Sequence, residues 1–493
     1  MKIANYRIVL FASLCLLAGV LTGSLVMSKI ILIIIPLVIV TGGILLIIFT
    51  KKINIAILII LFAIGFSLFH IDKVINYDGE ISGIHKITAT VDEVKNNGKV
   101  IIEDLKVDGL EFDGKAELEL KGTYVKEGEI ITFQALAKTH TFNPFDSYSS
   151  YYYSNSIYYD FDNVENLIVE NGNPKIFTII KLKIKTQALK YLSNKDAGIM
   201  MSLIFGDKSI LTETDSQIIA GSGLSHVFAV SGLHVGFLAG IVAFLLKKFK
   251  VNWWVSLIIT TLVLICYGFI TGFPSGVKRA GITLFVYMIG KGLYRKPDSL
   301  TTLAFSAALV IVTNPREIFD VGFIMSYTAV LGISMFYKTF YSIFLKLGSN
   351  KVYKYFAQII SMTLSANLFV LPVTTNVFNT YNTYSVIGNL VILPIISVTF
   401  TFAAIVAVLT AVYSGCGILF YVLKYPIYLV RELSLAINSL PYSNLETTGV
   451  GIATIFYVIA LILVSRYVLL SPKIKYPLFG VSFLSAVLCL III

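Results

Sequence analysis

The chain has 493 residues, of which 56% are hydrophobic and only 14% are charged, and its mean hydropathy is +0.83. Soluble domains average about 45–50% apolar and about 25% charged residues, so this composition excludes a soluble globular protein. The formal net charge of +11 is uneven, because residues 78–170 hold 18 acids and eight lysines. The basic excess elsewhere is the usual bias of cytoplasmic membrane loops and is not by itself evidence for a nucleic-acid partner.

Three transmembrane helices are predicted within residues 1–76. The apolar runs at 8–27, 30–50 and 53–69 each approach the roughly 20 residues that cross a bilayer. The first run is long for a signal peptide and the second follows almost at once, so we expect an uncleaved anchor. Lys51 and Lys52 mark a cytoplasmic loop, which places the residues after the third span outside the cell.

Residues 77–172 are predicted to form an extracellular β domain. Turn signals punctuate it at the dipeptides Asn97-Gly98, Asp108-Gly109 and Asp113-Gly114. Short strands at this spacing are typical of a small barrel, and the size fits a five-stranded OB-like β-barrel. The segment is acidic, so any DNA contact on it would need a local basic patch or the aromatic side chains of residues 141–161.

Residues 173–222 are predicted to form amphipathic, interfacial helices. Between residues 175 and 195 there are six lysines and no acid, interspersed with apolar residues. This pattern favours a basic helix lying on the membrane surface. A basic track that guides a polyanion is the functional interpretation, and it would use Lys181, Lys183, Lys185 and Lys190.

Residues 223–493 are predicted to form the transmembrane channel domain. Its spans begin near residues 226, 253, 279, 299, 319, 355, 384, 415, 447 and 474. The basic loops between them all fall inside when the span direction alternates. The whole chain is therefore expected to be a polytopic α-helical membrane protein of the cytoplasmic membrane with roughly 13 spans. Re-entrant segments would change that count.

Polar residues at membrane depth suggest a pore. Residues 221–236 (GSGLSHVFAVSGLHVG) place Ser231 and His234 at positions i and i+3 of one helix face. Polar groups inside a bilayer tend to face a cavity or a partner. An intramembrane serine hydrolase is disfavoured, because a working dyad takes its base from a separate element. A metal site of His226, His234 and Asp320 is disfavoured too, because no helical zinc motif is present.

A helix break at residues 271–280 (TGFPSGVKRA) carries a cation pair. Lys278 and Arg279 begin the next span on the predicted outer side, opposite to the usual positive-inside distribution. Phosphate binding would explain this placement, and snorkelling to lipid headgroups is the alternative. Asp320 begins a later span, where it could pair with Arg279 or Arg316, line the pore, or stabilise its own helix N-terminus.

Two irregular polar segments, at residues 367–376 and 388–394, complete the predicted pore. Asn367 and Asn389 are candidates for its lining, because such segments are tolerated only against protein or a water-filled cavity. Tyr327 or Phe378 could stack bases with little sequence preference. The chain has no G-x-x-x-x-G-K-[ST] loop, so we expect no cofactor and no energy source within it.

In this order, the motifs resemble the signature of the ComEC family of DNA-uptake channels. The residues that carry the resemblance lie at 203–208 (LIFGDK), 223–226 (GLSH), 230–236 (VSGLHVG), 314–323 (NPREIFDVGF) and 388–394 (GNLVILP). The resemblance implies natural transformation, in which one strand of external DNA enters while the other is degraded. It also implies a DNA receptor on the outer face, a cytoplasmic ATP-driven DNA translocase, and single-stranded DNA as the substrate.

Many members of that family carry a C-terminal metallo-β-lactamase-like nuclease domain. This chain ends at Ile493, just after its last predicted span, and its five histidines form no H-x-H-x-D-H zinc motif. We therefore expect no enzymatic activity, and a separate nuclease. Transport of small anions or glycans is the main alternative function, because it explains the broken helices and basic pairs equally well. The β domain would be a large elaboration for so small a solute.

Overall fold

The computed structural model of the protein describes residues 8–25, 53–75, 81–95, 98–120, 125–140, 142–143, 146–228, 230–295, 298–348, 350–447, 451, 453–465, 471, 474, 477–482 and 484–485. The span predicted at 30–50 lies outside these residues, as do Lys51 and Lys52. The described chain is mostly helical, with one small barrel, and divides into two compact units. The first unit takes Met1–Glu213, Ala229–Phe323 and Phe400–Lys424, and the second takes Thr214–Phe228, Ile324–Thr399 and Tyr425–Ile493.

Two apolar helices, α1 (Ile8–Ser24) and α2 (Ile53–Ile75), pack closely against each other. A Cβ atom at Gly65 would lie 2.2 Å from the backbone oxygen of Leu16, and one at Gly19 would meet the backbone of α2 at 2.1 Å. Glycine is therefore required for this approach, which is the usual packing device between helices in lipid.

The predicted β domain is a closed barrel. Its elements are β1 (Gly83–Val94), β2 (Lys99–Val107), β3 (Leu110–Phe112), β4 (Lys115–Glu119), β5 (Ile130–Thr139), α3 (Ser147–Ser154) and β6 (Ile157–Glu170). β1 pairs antiparallel with β2 and with β5, and β4 pairs antiparallel with β2. β6 closes the ring, because it pairs antiparallel with β5 and parallel with β4. Five strands form the ring, and the small barrel predicted from the turn spacing is confirmed.

Most of the aromatic stretch before and within β6 fills the barrel interior. Tyr158 and Tyr159 are fully buried in the barrel core. Tyr152 is also buried, and its hydroxyl donates a hydrogen bond of 2.9 Å to Glu117. Tyr151 is exposed. Base stacking by this stretch is therefore limited to side chains such as Tyr151, because the ring needs the others to fill its interior.

The remaining elements follow the barrel in chain order. They are α4 (Ile176–Tyr191), α5 (Asn194–Phe205), α6 (Glu213–Gly221), α7 (Ser225–Phe228), α8 (Gly232–Lys248), α9 (Trp253–Thr271), α10 (Ser275–Gly292), α11 (Ser299–Thr313), a 3₁₀ helix (Pro315–Phe319), α12 (Val321–Phe344), α13 (Lys351–Phe378), β7 (Thr380–Asn382), α14 (Ser385–Val412), a second 3₁₀ helix (Ser414–Leu423), α15 (Lys424–Asn438), β8 (Asn444–Glu446) and α16 (Ala453–Val464).

Among the described residues, four helices are long and apolar enough to cross a membrane, namely α9, α12, α13 and α14. Shorter apolar helices lie at Ile8–Ser24, Ile57–Ile71, Ser299–Thr313 and Ala453–Val464. These findings agree with a helical membrane protein, and the count of roughly 13 spans stays a prediction.

The structure differs from the sequence-based prediction at two places in the last third of the chain, the span near residue 415 and the proline-containing segments. The span expected to begin near residue 415 is two elements, the second 3₁₀ helix and α15, and α15 carries Arg431 and Glu432. Pro372 and Pro394 lie inside the continuous helices α13 and α14 rather than at breaks. The interruption comes between these helices, where Asn379 takes the left-handed conformation (φ 51°) before β7.

Candidate functional site

The predicted cation pair lies at the beginning of α10. Gly272 ends α9 in the left-handed conformation, and Pro274 directly precedes the first residue of α10, Ser275. Lys278 and Arg279 therefore lie in the first two turns, and both are partly exposed. The N-terminal end of a helix carries partial positive charge, so cations there are unfavourable unless an anion lies nearby.

Glu317 supplies such an anion within the protein. Its Oε1 forms an ion pair with Nζ of Lys278, and it comes from the 3₁₀ helix that precedes α12. The side chain of Glu317 is 4% exposed, whereas that of Lys278 is 29% exposed. The carboxylate is thus held inside while the ammonium reaches the surface.

Asp320 joins the beginnings of two helices. Its Oδ2 accepts hydrogen bonds from Oγ of Ser275 at 2.6 Å and from the backbone N–H of Phe323 at 2.7 Å. The bond from Phe323 caps α12, which agrees with the interpretation of Asp320 as a helix-terminal charge. The bond from Ser275 ties α10 to α12. A role for Asp320 in the pore stays a prediction.

Arg279 packs against the beginning of α8. A Cβ atom at Gly232 would lie 2.5 Å from Nη2 of Arg279, and one at Gly276 would lie 3.4 Å from the backbone nitrogen of Gly232. Small residues therefore bring the N-terminal ends of α8 and α10 together. The guanidinium of Arg279 lies next to a second helix N-terminus as a result.

Ser231 and His234 form a capping box rather than one face of a helix. Ser231 precedes α8 as its N-cap, and its Oγ accepts a hydrogen bond from the backbone N–H of Leu233 at 3.3 Å. Nδ1 of His234 accepts from the backbone N–H of Ser231 at 2.9 Å, so the proton of the neutral ring lies on Nε2. The two residues keep the expected i, i+3 spacing, but Ser231 lies at the N-cap before the first turn of α8, because a serine there satisfies free N–H groups of the helix.

The geometry also bears on the enzyme alternatives. Oγ of Ser231 lies 3.5 Å from Nδ1 of His234, longer than the roughly 2.6–3.2 Å typical of a nucleophile and its base. Within the described residues, no group of three or more His, Cys, Asp or Glu side chains could hold a metal ion.

The 3₁₀ helix that carries Glu317 also contacts the barrel. Nδ2 of Asn314 donates to the backbone oxygen of Ser154 at 3.4 Å. The guanidinium of Arg316 lies over the ring of Tyr158, 4.7 Å from its centroid, and Arg316 is buried. Sequence reasoning considered Arg316 only as a partner of Asp320 and gave Glu317 no role. The sequence signal that could have indicated this site is the presence of Arg316, Glu317 and Asp320 directly before an apolar span.

The lysines of α4 have partners inside the first unit. Nζ of Lys181 lies 2.9 Å from Oε1 of Glu127 and 3.7 Å from Oδ2 of Asp207. Nζ of Lys185 lies 3.4 Å from the same oxygen of Asp207. Lys183 donates to the backbone oxygen of Ala411 at 2.8 Å. These contacts fix α4 to the barrel, to the segment after α5 and to the end of α14. Lys190 is exposed, and its ammonium lies 5.5 Å from the ring centroid of Tyr191.

Burial and charge shift the titration of this cluster. Burial alone would lower the pKa of Lys181, but the charges of Asp207 and Glu127 outweigh it and raise that pKa. Burial alone would raise the pKa of Asp207, yet the charges of Lys181 and Lys185 and hydrogen bonds from Ser209 lower it. Burial raises the pKa of Glu127 in spite of Lys181. Lys181 and Asp207 therefore remain charged at neutral pH.

The other predicted pore residues belong to the second unit. Nδ2 of Asn367 donates to Oγ of Ser385 at 3.0 Å, which joins α13 to the beginning of α14. Asn389 is buried in α14, and Tyr327 is buried in α12. The structure thus brings Ser231, His234, Lys278, Arg279 and Asp320 together in the first unit and leaves three candidates in the second.

Comparisons with known proteins give a family and distant relatives. The model of a family described as Competence protein matches residues 203–472, more than half of the chain. The chain is 23% identical over 253 residues to ComE operon protein 3 of Bacillus subtilis (strain 168), which covers 50% of this chain and 31% of that protein. It is 22% identical over 229 residues to Recombination protein 2 of Haemophilus influenzae, covering 44% of this chain and 28% of that protein.

A third relative is also distant. The chain is 24% identical over 217 residues to the Uncharacterized protein MG316 homolog of Mycoplasma pneumoniae, covering 43% of this chain and 53% of that protein. The chain therefore spans about half or less of the length of these relatives. No solved structure matches it.

Proposed function

Because the chain belongs to the competence protein family, we propose that it carries one strand of external DNA inward across the cytoplasmic membrane. The observation that supports this best is the position of Lys278 and Arg279 at the beginning of α10. A helix N-terminus binds phosphate through its free N–H groups, and two cations at the same place add the charge that a phosphate would meet.

The need for such a site follows from the chemistry of the strand. Each phosphate is a charge, and moving it into hydrocarbon without a partner is very unfavourable. A pore must therefore replace water with cations, helix N-termini and polar amides. Lys278 and Arg279 are the proposed phosphate contacts, and Ser231, His234, Asp320, Asn367 and Asn389 are the proposed polar lining. Tyr327 and Phe378 are the proposed base-stacking side chains, of which Phe378 is exposed and Tyr327 is buried.

The proposed surroundings follow the family resemblance. The barrel lies outside the cell, where a separate receptor delivers DNA. A separate nuclease removes the other strand, and a cytoplasmic ATP-driven translocase pulls the entering strand. Membrane lipid covers the outward faces of the long apolar helices. Lys181 and Lys185 are fixed by carboxylates in this structure, so Lys190 is the best remaining candidate for guiding a polyanion along α4.

Uptake of end-labelled DNA into a nuclease-resistant form tests this proposal. The strains carry the intact gene, a deletion, or Lys278→Ala/Arg279→Ala expressed at an equal level, with Lys86→Ala/Lys126→Ala as a matched control on the exposed barrel surface. We expect the deletion to abolish uptake while surface binding of DNA remains. The Lys278/Arg279 variant should lower uptake at least about tenfold, and the barrel control should not.

Normal uptake in the deletion would overturn the DNA-channel proposal. Transport of a small anion or a glycan would then be measured in the same strains. Loss in the deletion with normal uptake in the Lys278/Arg279 variant would keep the channel and remove these cations from its path.

A further inference from the structure

Glu317 is already paired with Lys278, the cation that the proposed function assigns to a phosphate. Lys278 and Glu317 are separated by 39 positions in the sequence, and the fold brings them together. The ammonium of Lys278 has three N–H donors, but the Glu317 carboxylate beside it neutralises its charge and repels an approaching phosphate. A strand that reaches Lys278 must therefore compete with a carboxylate belonging to the protein.

Contacts on both sides of Glu317 hold it in place. On one side, Asn314 bonds to Ser154 and Arg316 lies over Tyr158, so the 3₁₀ helix is fastened to the barrel. On the other side, Asp320 bonds to Ser275 at the beginning of α10. The carboxylate is thus positioned by the fold and does not reach Lys278 from a long exposed side chain.

One oxygen of the Glu317 carboxylate nevertheless lacks a hydrogen-bond donor among the described residues. Oε2 of Glu317 is buried and accepts no hydrogen bond from the residues that the structure describes. A buried carboxylate oxygen without a donor lowers the net stability that the ion pair contributes. Displacement still leaves the carboxylate without its cation, and the phosphate contact must outweigh that cost. Lys278 reaches the surface, which leaves a route by which an anion can approach it.

Resting on the proposed function, we infer that Glu317 is a built-in competitor for the phosphate site, and that the entering strand binds Lys278 by displacing it. The α10 N-terminus then exchanges one anion for another and is never left with an uncompensated cation. Small anions with a single charge gain little from this exchange. In a polyanion, the next phosphate replaces each one that leaves Lys278. The Lys278–Glu317 pair therefore favours a DNA strand over a small solute.

Binding of a fluorescent single-stranded 30-nucleotide DNA to the purified full-length chain in detergent, at several salt concentrations, tests this inference. Glu317→Gln should bind about tenfold more tightly than the wild type, the size of one charge-assisted hydrogen bond. The slope of log K against log salt should steepen by about 0.7, because in the wild type the displaced carboxylate takes up a salt cation and offsets the counterion release from one phosphate. Glu317→Asp, a milder change, should fall between the two.

Glu119→Gln is the matched control, because it removes the same charge from an exposed position on the barrel. It should leave the slope unchanged. The gain of Glu317→Gln should disappear in Lys278→Gln/Glu317→Gln. A slope for Glu317→Gln equal to that of Glu119→Gln, with the wild type binding DNA, would overturn the inference and leave the proposed function standing. Absence of DNA binding in every variant would overturn both.

Discussion

Two groups of lysine–carboxylate pairs in the first unit differ in how far their lysines are buried. In the α4 group, Lys181 lies between two carboxylates, Glu127 and Asp207, and all three side chains are largely buried. In the α10 group, Lys278 pairs among the described residues with one carboxylate, that of Glu317, and it reaches the surface. In the α4 group, the buried ammonium of Lys181 is covered by two carboxylates. In the α10 group, the ammonium of Lys278 has a partly exposed side that a competing anion can reach.

This difference shows why a basic helix is a poor indicator of a polyanion path. The lysines of α4 give the stronger charge pattern in sequence, yet most of them connect parts of the fold. Lys278 and Arg279 form a much shorter pattern, and they lie where a helix end can add its own affinity for phosphate. Three changes would break or sharpen this contrast.

The largest effect is expected from Lys181→Met. The change leaves Glu127 and Asp207 buried with one cation fewer, and breaking a buried pair in this way costs about 3–5 kcal/mol. Thermal unfolding of the purified chain in detergent measures the loss. Lys190→Met is the control, because Lys190 is exposed on the same helix, and it should change stability by less than about 0.5 kcal/mol. Equal stability of the two variants would show that α4 is a surface track after all.

An intermediate effect is expected from acid. The pKa of Asp207 is lowered in the folded protein, so its contribution to stability is complete above the unfolded value of 3.8 and is lost as the pH falls below that value and through the lower folded pKa. The wild type should therefore lose melting temperature between pH 5 and pH 3 by more than Asp207→Asn does. Glu119→Gln, on the exposed barrel surface, should behave like the wild type. Parallel curves for Asp207→Asn and the wild type would contradict the charged state of this cluster.

The smallest effect on stability is expected from Gly232→Ala. Its Cβ would meet the flexible end of the Arg279 side chain and would lie 3.2 Å from Cβ of Ala280, which must shift slightly. Stability should fall by about 1 kcal/mol or less, while DNA uptake falls because Arg279 leaves the α10 N-terminus. Gly236→Ala on the same helix is the control, because a Cβ there meets nothing within 4 Å. Uptake that is equal in the two variants would remove Arg279 from the site.

The elements with strong local signals were predicted well from the sequence. The span expected to begin at residue 253 is α9, Trp253–Thr271, and the turns Asp108-Gly109 and Asp113-Gly114 lie beside β3 as expected. These signals are local, because apolar length and turn residues act within a few positions.

The parts that could not be predicted depend on long-range pairing. Lys181 and Glu127 are 54 positions apart, and Arg316 finds Tyr158 across an even longer separation. Nothing near Lys181 in the sequence shows that a carboxylate will cover it. The capping role of Ser231 was within reach, because a serine before an apolar helix is a common N-cap, but the serine and histidine were first interpreted as a polar face.

The parallel pairing of β4 with β6 has a consequence for the order in which the chain assembles. The barrel cannot close until β6, ending at Glu170, has been synthesised. The segment that fastens to it, Pro315–Phe319, follows roughly 150 residues later, which is about 7–30 s at typical rates of synthesis. Every strand of the ring is therefore synthesised well before Arg316. The barrel has time to close around Tyr158 before the segment that packs against it is made.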